Sequence, residues 1–252
     1  MKKEGEIKVK SLQKSMEILE CFAEKQPLGV TEISEKLGLY KSNVHNILMT
    51  FTALGYLEHD KETGKYHLGA SVMTLSRAFR EGLDITKVAV PFMRQIANEA
   101  KELVYLTIPR EDEVIYLEVV SPENQKLVTT SVAGERCKMY CTGVGKAILA
   151  SLPEEEKKKI ISGELEAYTE NTITDPKLLQ EELALTKMRG YGIDDMELMY
   201  GIKCVGVALV GHDGRIEGGL SISAPSPRMD DEKVEFCANL LKRYAMRIRE
   251  IL

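Results

Sequence analysis

No stretch of the 252 residues reaches the roughly 18 uncharged apolar positions that a membrane span requires. The charged start leads into no apolar segment of signal-peptide length either. Cysteines are few, odd in number and scattered (Cys21, Cys137, Cys141, Cys204, Cys237), which excludes a small disulfide scaffold and fits reduced thiols. Positive charge is not in excess: 34 Lys and Arg against 39 Asp and Glu leave a formal charge of −5. That excludes coating of nucleic acid or a membrane through bulk charge, but not a small DNA-reading module carried on an acidic partner domain. Internal repeats, low-complexity tracts, HExxH and GxSxG are all missing. What remains, 44% hydrophobic and 29% charged residues, is ordinary globular usage. The expectation is a complete cytoplasmic protein, with no cofactor and no membrane partner, folded as one large domain or two ordinary ones.

The first third has helical periodicity. From Ser11, an N-cap candidate, Leu12, Met16, Leu19 and Phe22 recur at three- and four-residue spacing until Pro27. A second short helix fits 31–37, ended by Gly38. After a three-residue turn Ser42 can cap a third, with Val44, Ile47, Leu48, Phe51 and Leu54 as its buried stripe and Gly55 closing it. Residues 56–59 and 65–68 then alternate around a Gly-containing turn, as a two-stranded wing would. Three helices followed by a hairpin outline a winged helix-turn-helix over 1–68. A stripe of Val72, Leu75, Phe79 and Leu83 within 69–83 suits a linker or dimer contact.

Residues 84–252 change texture. A helix over 84–102 with Val88, Phe92, Ile96 and Ala100 inward precedes β-rich runs at 103–108, 114–120 and 126–133. Helices fit 143–151, 153–163, 176–189 and 230–252, and strands fit 204–210 and 216–223. This predicts an α+β domain whose sheet is covered on one face by helices.

Residues 1–68 hold ten lysines and ten acids, so the second domain carries the deficit. Positions 36–57 contain no acid, which lets the third helix approach phosphates without repulsion. Lys2, Lys3, Lys8 and Lys10 form an arm that could add contacts. Tyr40, Lys41, Ser42, Asn43, His45 and Asn46 are residue types that reach phosphates or base edges. A three-helix protein-interaction module with a polar face is the alternative reading of the same pattern.

In the second domain, Cys141-Thr142-Gly143-Val144-Gly145-Lys146 fails as a phosphate loop, because Tyr140 and Ala147 stand where Gly and Ser or Thr are required. A Gly-containing turn running into a helix remains, with free N–H groups suited to a small carboxylate. Asp194 and Asp195 precede an apolar strand, and Ser221 and Ser223 share one face of another. Convergent polar groups on an apolar sheet suit a ligand pocket. A Cys141 nucleophile with His212, or a metal on Cys137, Cys141, Cys204 and Asp194, are open alternatives that no spacing supports.

Ordered blocks now resemble one family over essentially the whole chain. These are Ser11-Leu12-Gln13-Lys14-Ser15, Glu32-Ile33-Ser34-Glu35-Lys36-Leu37-Gly38-Leu39, Lys41-Ser42-Asn43-Val44-His45, Leu54-Gly55-Tyr56, Thr142-Gly143-Val144-Gly145-Lys146-Ala147, Gly190-Tyr191 through Glu197, Gly201 with Cys204, and Ser221-Ile222-Ser223-Ala224-Pro225. The sequence resembles bacterial transcription regulators of the isocitrate lyase regulator (IclR) family. The resemblance implies an N-terminal winged helix-turn-helix over 1–68, a linker and dimerisation helix over 69–83, and a GAF-like α+β effector-binding domain over 84–252.

It further implies a non-enzymatic regulator, repressor or activator, that binds double-stranded DNA as a dimer or dimer of dimers and answers to a small organic or sugar acid. DNA contacts would come from Thr31, Tyr40, Lys41, Ser42, Asn43, His45, Asn46, Lys61 and Lys65. Effector contacts would come from Gly143, Val144, Gly145, Asp194, Ile202, Cys204, Ser221 and Ser223. Asn46 stands where the family usually has Arg, which removes a phosphate or guanine contact. Gly143 stands where Ala is common, which would leave more room in the pocket. The alternative is a small-acid-binding enzyme whose helical head mediates assembly.

Overall fold

The computed structural model describes residues 7–82, 84–123 and 133–252, which divide into two compact units after Gly82. In the first unit, α1 (Lys10–Glu24) buries Ile18, Cys21 and Phe22. Leu12 and Met16 lie on its exposed side, and the helix starts at Val9 rather than at a Ser11 cap. The apolar residues of this helix form two ridges, and the core selects the later one. Helix α2 (Val30–Leu37) opens with the Glu32 carboxylate accepting the Gly29 N–H at 2.9 Å and ends at Gly38, φ +64°.

Helix α3 (Lys41–Ala53) buries Val44 and Leu48 completely. Its N-cap is Tyr40, which supplies no side-chain bond, so Ser42 sits inside the first turn instead of capping it. Leu54 is exposed, and Gly55 takes φ +76° to turn the chain into the wing. Strands β1 (Leu57–His59) and β2 (Tyr66–Leu68) pair antiparallel. The turn between them is fastened by Asp60, which accepts the Glu62 N–H and the Thr63 hydroxyl at 2.8 and 2.7 Å. Leu57 and Tyr66 complete the small core with Ile18, Phe22, Ile33, Val44 and Leu48. Helix α4 (Ser71–Glu81) follows, tied back by the Ser71 N–H donating to Gly55 O at 3.1 Å.

The second unit starts with α5 (Asp84–Ala100), then β3 (Leu103–Arg110), β4 (Glu113–Val120) and β5 (Arg136–Lys138). Helices α6 (Gly143–Ser151), α7 (Glu154–Ile161) and α8 (Pro176–Arg189) come next. They lead to β6 (Gly192–Asp195), β7 (Ile202–Val210), β8 (Ile216–Pro225), a short 3-10 turn (Ser226–Arg228) and α9 (Asp231–Arg249). Among the described residues the strands form one antiparallel sheet in the order β5-β4-β3-β8-β7-β6. The strand expected at 126–133 lies outside the described residues except for Ala133, which is in a turn. Strand β5 is three residues with two charges at a sheet edge, too short and polar to show a period of two.

Helices cover both faces of the sheet, not one. Val205, Val207, Leu209, Leu220 and Ile222 pack with α5 and α9 on one side. On the other side α6 lies on β6, β7 and β8, with α8 against it. The second covering layer leaves no apolar signature, because α6 is seated on glycines. A Cβ at Gly206 would stand 2.3 Å from Val144 N, and one at Gly219 would stand 2.3 Å from Val144 Cγ2. At Gly206 backbone meets backbone, and at Gly219 the strand backbone meets the Val144 side chain, approaches that glycine allows. Helix α5 buries Ile85, Ala89, Met93, Ile96, Ala97 and Ala100, while Val88 and Phe92 are only half-buried. Two stripes overlap on that helix, and the one carrying small alanines packs closest.

Candidate functional site

Where α6 begins, its first turn and the sheet enclose a cavity of about 330 Å³. Sheet register builds its floor. Leu103 on β3 pairs with Ser223 on β8, Ser223 with Cys204 on β7, and Cys204 with Asp194 on β6, so all four lie in one row across the strands. The neighbouring row runs from Tyr105 to Ser221 to Gly206. Alternation puts Val104, Val205, Leu220 and Ile222 on the opposite face, in the core. Tyr105 and Tyr116 close one side, their rings edge to face at 5.5 Å. Leu198 and Met199 contribute from the turn after β6.

Gly143, Val144, Asp194, Ile202, Cys204, Ser221 and Ser223 all line this one cavity. Gly145 does not: its N–H donates to the capping Thr142 Oγ1 at 3.1 Å, and a Cβ there would strike Met139 Cα at 2.4 Å. Its glycine serves helix packing. The residue at 143 also fails to enlarge the cavity, because a Cβ would face the sheet, 3.0 Å from Cys204 O and 3.2 Å from Gly192 O. As first and second residues of α6, Gly143 and Val144 have N–H groups with no intrahelical acceptor. Asp194 and Asp195 precede the apolar β7 as expected but lie in a short strand of their own, β6, and Asp195 pairs with Lys203 at 3.1 Å.

Electrostatically, Asp194 is the cavity carboxyl that burial brings into the neutral range. It is 3% exposed, and burial lifts its carboxyl to about 7 although its Oδ1 accepts the Glu197 N–H at 2.7 Å and the Leu198 N–H at 3.4 Å. Behind it the buried Lys146 ammonium is bonded to Glu197, with Glu182 at 3.9 Å and Arg189 in turn 2.6 Å from Glu182. The second Glu197 oxygen is buried without a partner. Lys146 thus anchors a carboxylate network instead of a nucleotide. Cys204 donates to Ser223 Oγ at 3.1 Å, and burial raises its thiol.

Burial also pushes Cys137 up to about 11 and Cys141 up to about 12. Thiols so shifted are poor nucleophiles. His212 lies in the turn beyond the far end of β7 from Cys204, so the structure does not assemble Cys141 and His212 into a pair. Among the described residues no group of three or more His, Cys, Asp or Glu side chains is arranged to hold a metal. Sequence reading missed Tyr105, Tyr116, Leu198, Met199 and Arg228, whose positions carry no local signal for which face they occupy.

In the first unit, Tyr40, Lys41, Ser42, Asn43, His45 and Asn46 are all exposed along the first turns of α3, Tyr40 at 80%. Thr31 is exposed at the start of α2, and Lys61 on the wing turn. Lys65 is not free-standing: its ammonium pairs with Glu32 at 3.1 Å. Lys2 and Lys3 of the expected basic arm lie outside the described residues.

Residues 11–61 match the IclR helix-turn-helix domain, and residues 78–250 match the bacterial transcriptional regulator IclR C-terminal family. The chain belongs to the IclR family. It is therefore a DNA-binding transcriptional regulator with an effector domain. The HTH-type transcriptional regulator KdgR of Escherichia coli K12 is 31% identical over 95% of this chain and 91% of its own length. The IclR of Thermotoga maritima is 30% identical, covers 96% of this chain and 98% of its own, and superposes with a TM-score of 0.76. An IclR homologue of Microbacterium hydrocarbonoxydans, solved in complex with 4-hydroxybenzoate, shares the fold at a TM-score of 0.81 and 23% identity, over 95% of this chain and 98% of that one. Among the described residues of this IclR-family chain, no helix is long and apolar enough to cross a membrane.

Proposed function

We propose that this IclR-family regulator changes its operator affinity when a small carboxylic or sugar acid occupies the cavity at the start of α6. The observation that carries this reading is the convergence of two helix N–H groups, two serine hydroxyls, the Cys204 thiol and a buried carboxyl on one concave cavity beside Tyr105, Tyr116, Leu198 and Ile202. The Gly143 and Val144 N–H groups hold the effector carboxylate at the positive end of the helix. Ser221, Ser223 and Cys204 meet its remaining oxygens. Asp194, lifted to about 7, accepts from a hydroxyl when ionised and donates to a carbonyl oxygen when protonated. Ile202 bounds the apolar part.

DNA is read by α3. Lys41, Ser42, Asn43, His45 and Asn46 reach phosphates and base edges from its exposed face, with Thr31 and Tyr40 beside them and Lys61 and Lys65 on the wing. The Lys41 and Ser42 N–H groups, uncapped, suit a phosphate. Residues 1–68 act as the DNA-binding domain, 69–83 as the linker and 84–252 as the effector domain. The exposed Met73, Leu75 and Phe79 on α4 support self-association as a dimer or dimer of dimers. The protein acts in the cytoplasm and turns over no substrate, in keeping with the raised pocket thiols.

Replacing Ser221→Ala together with Ser223→Ala removes two polar partners from the cavity without changing its volume much. Calorimetry with a panel of small acids should show effector heat lost while the melting profile stays near that of the parent. Unchanged effector affinity in the double variant contradicts the reading.

A further inference from the structure

The cavity has a second polar end. Along β8, Gly219 lies under Val144, Ser221 and Ser223 face the cavity, and Pro225 ends the strand. At about 3.3 Å per residue, Pro225 is about 13 Å beyond Ser221. The 3-10 turn Ser226–Arg228 follows at once and brings Arg228 to the cavity wall, at the end opposite the first turn of α6. Its guanidinium donates to Glu102 Oε2 at 2.6 Å, and Glu102 is itself a wall residue just ahead of β3. The Glu102 side chain is 5% exposed and the Arg228 side chain 45%.

Burying a carboxylate to hold a half-exposed arginine contributes little to stability, since such pairs gain about what desolvation costs. What the arrangement does is orient the guanidinium. Glu102 occupies one of its five N–H donors, and the planar fork is the geometry that grips a carboxylate through two parallel bonds. Among the described residues Arg228 is the only cationic side chain lining the cavity, against Glu102, Glu135 and Asp194. A one-ended acid held at α6 would leave that cation unused.

We propose that Arg228, positioned by Glu102, is a second anion receptor in the effector cavity, so that the preferred effector is a diacid spanning from the α6 N–H groups to Arg228. This rests on the cavity being the effector site, as argued above. The test uses the full-length protein and matched probes, hexanoate against adipate and benzoate against terephthalate, titrated calorimetrically at constant ionic strength. One diacid of the two should bind at least tenfold more tightly than its monoacid partner. Arg228→Gln should bring that diacid down to the monoacid's affinity and leave the monoacid unchanged.

Arg228→Lys, which keeps a charge on Glu102 but not the two-donor fork, should fall between them. It serves as the readout if the Gln variant folds poorly. Ser221→Ala with Ser223→Ala should weaken both kinds of acid, which separates the two ends of the cavity. Equal affinity for monoacid and diacid in the parent, or equal weakening of both by Arg228→Gln, overturns the role of Arg228 and leaves the effector site standing. If no probe binds at all, the effector-site reading fails and this inference fails with it.

Discussion

Asp194→Asn isolates the electrostatic cost built into the effector cavity. The folded chain raises this carboxyl from an ordinary 3.8 to about 7, chiefly by burial. Between those values the folded state holds a proton that the unfolded state has lost. Stability therefore falls as pH rises through that window, is free of the cost below it, and is level above it. At about 1.4 kcal/mol per pH unit, ionising Asp194 in place costs about 4 kcal/mol above pH 7. Asparagine cannot ionise, yet it keeps an oxygen to accept the Glu197 and Leu198 N–H groups.

The variant should thus be more stable than the parent, by a margin that widens by about 2.5 kcal/mol between pH 5 and pH 8. In an effector domain of this size that is a relative gain of about 5–10 °C in melting temperature. Scanning calorimetry of both proteins at the two pH values reads it directly. A margin that is the same at pH 5 and pH 8 would show that Asp194 is not held in its protonated form, and would refute the reasoning.

Two further outcomes follow from other parts of the chain. Gly206→Ala places a methyl group 2.3 Å from Val144 N, so α6 must lift from the sheet; the effector domain should lose about 1–3 kcal/mol of stability and its effector heat, and an unchanged melting temperature would contradict the close-approach argument. Lys41→Ala removes one cation from the exposed start of α3; the slope of log affinity for operator DNA against log salt should shrink by about 1, and an unaltered slope would place Lys41 away from the phosphates.

Much of the fold was legible in the chain because its punctuation is strong. Gly38, Gly55 and Gly190 all adopt positive φ at element ends, and Asp175 and Asp230 cap the helices that follow them. The paired hydroxyls of Ser221 and Ser223 were readable as one face of a strand and Asp194 as a carboxylate ahead of another, and the family resemblance brought in Cys204 beside them. What escaped has physical causes. Where Leu12 and Met16 compete with Ile18 and Cys21, or Val88 and Phe92 with Ala89 and Met93, two stripes have helical spacing and only tertiary packing chooses. The helix layer over the glycine face of β6, β7 and β8 was invisible because glycine marks close approach by having no side chain at all. Tyr105 and Tyr116 alternate with core residues on strands whose facing only the register settles, and Arg228 sits in a turn that no periodicity reaches.

The most direct measurement is recovery of genomic DNA. The purified protein is incubated with sheared DNA from its own source at low salt, bound fragments are recovered, and the selection is repeated with a pool of small monocarboxylic, dicarboxylic and sugar acids. The account predicts enrichment of one or a few promoter regions, with recovery abolished or strengthened by an acid and that acid's effect lost in the Ser221→Ala, Ser223→Ala variant. Enrichment that no acid changes, or an acid response that survives loss of both hydroxyls, would contradict the claim that the cavity at the start of α6 governs DNA binding.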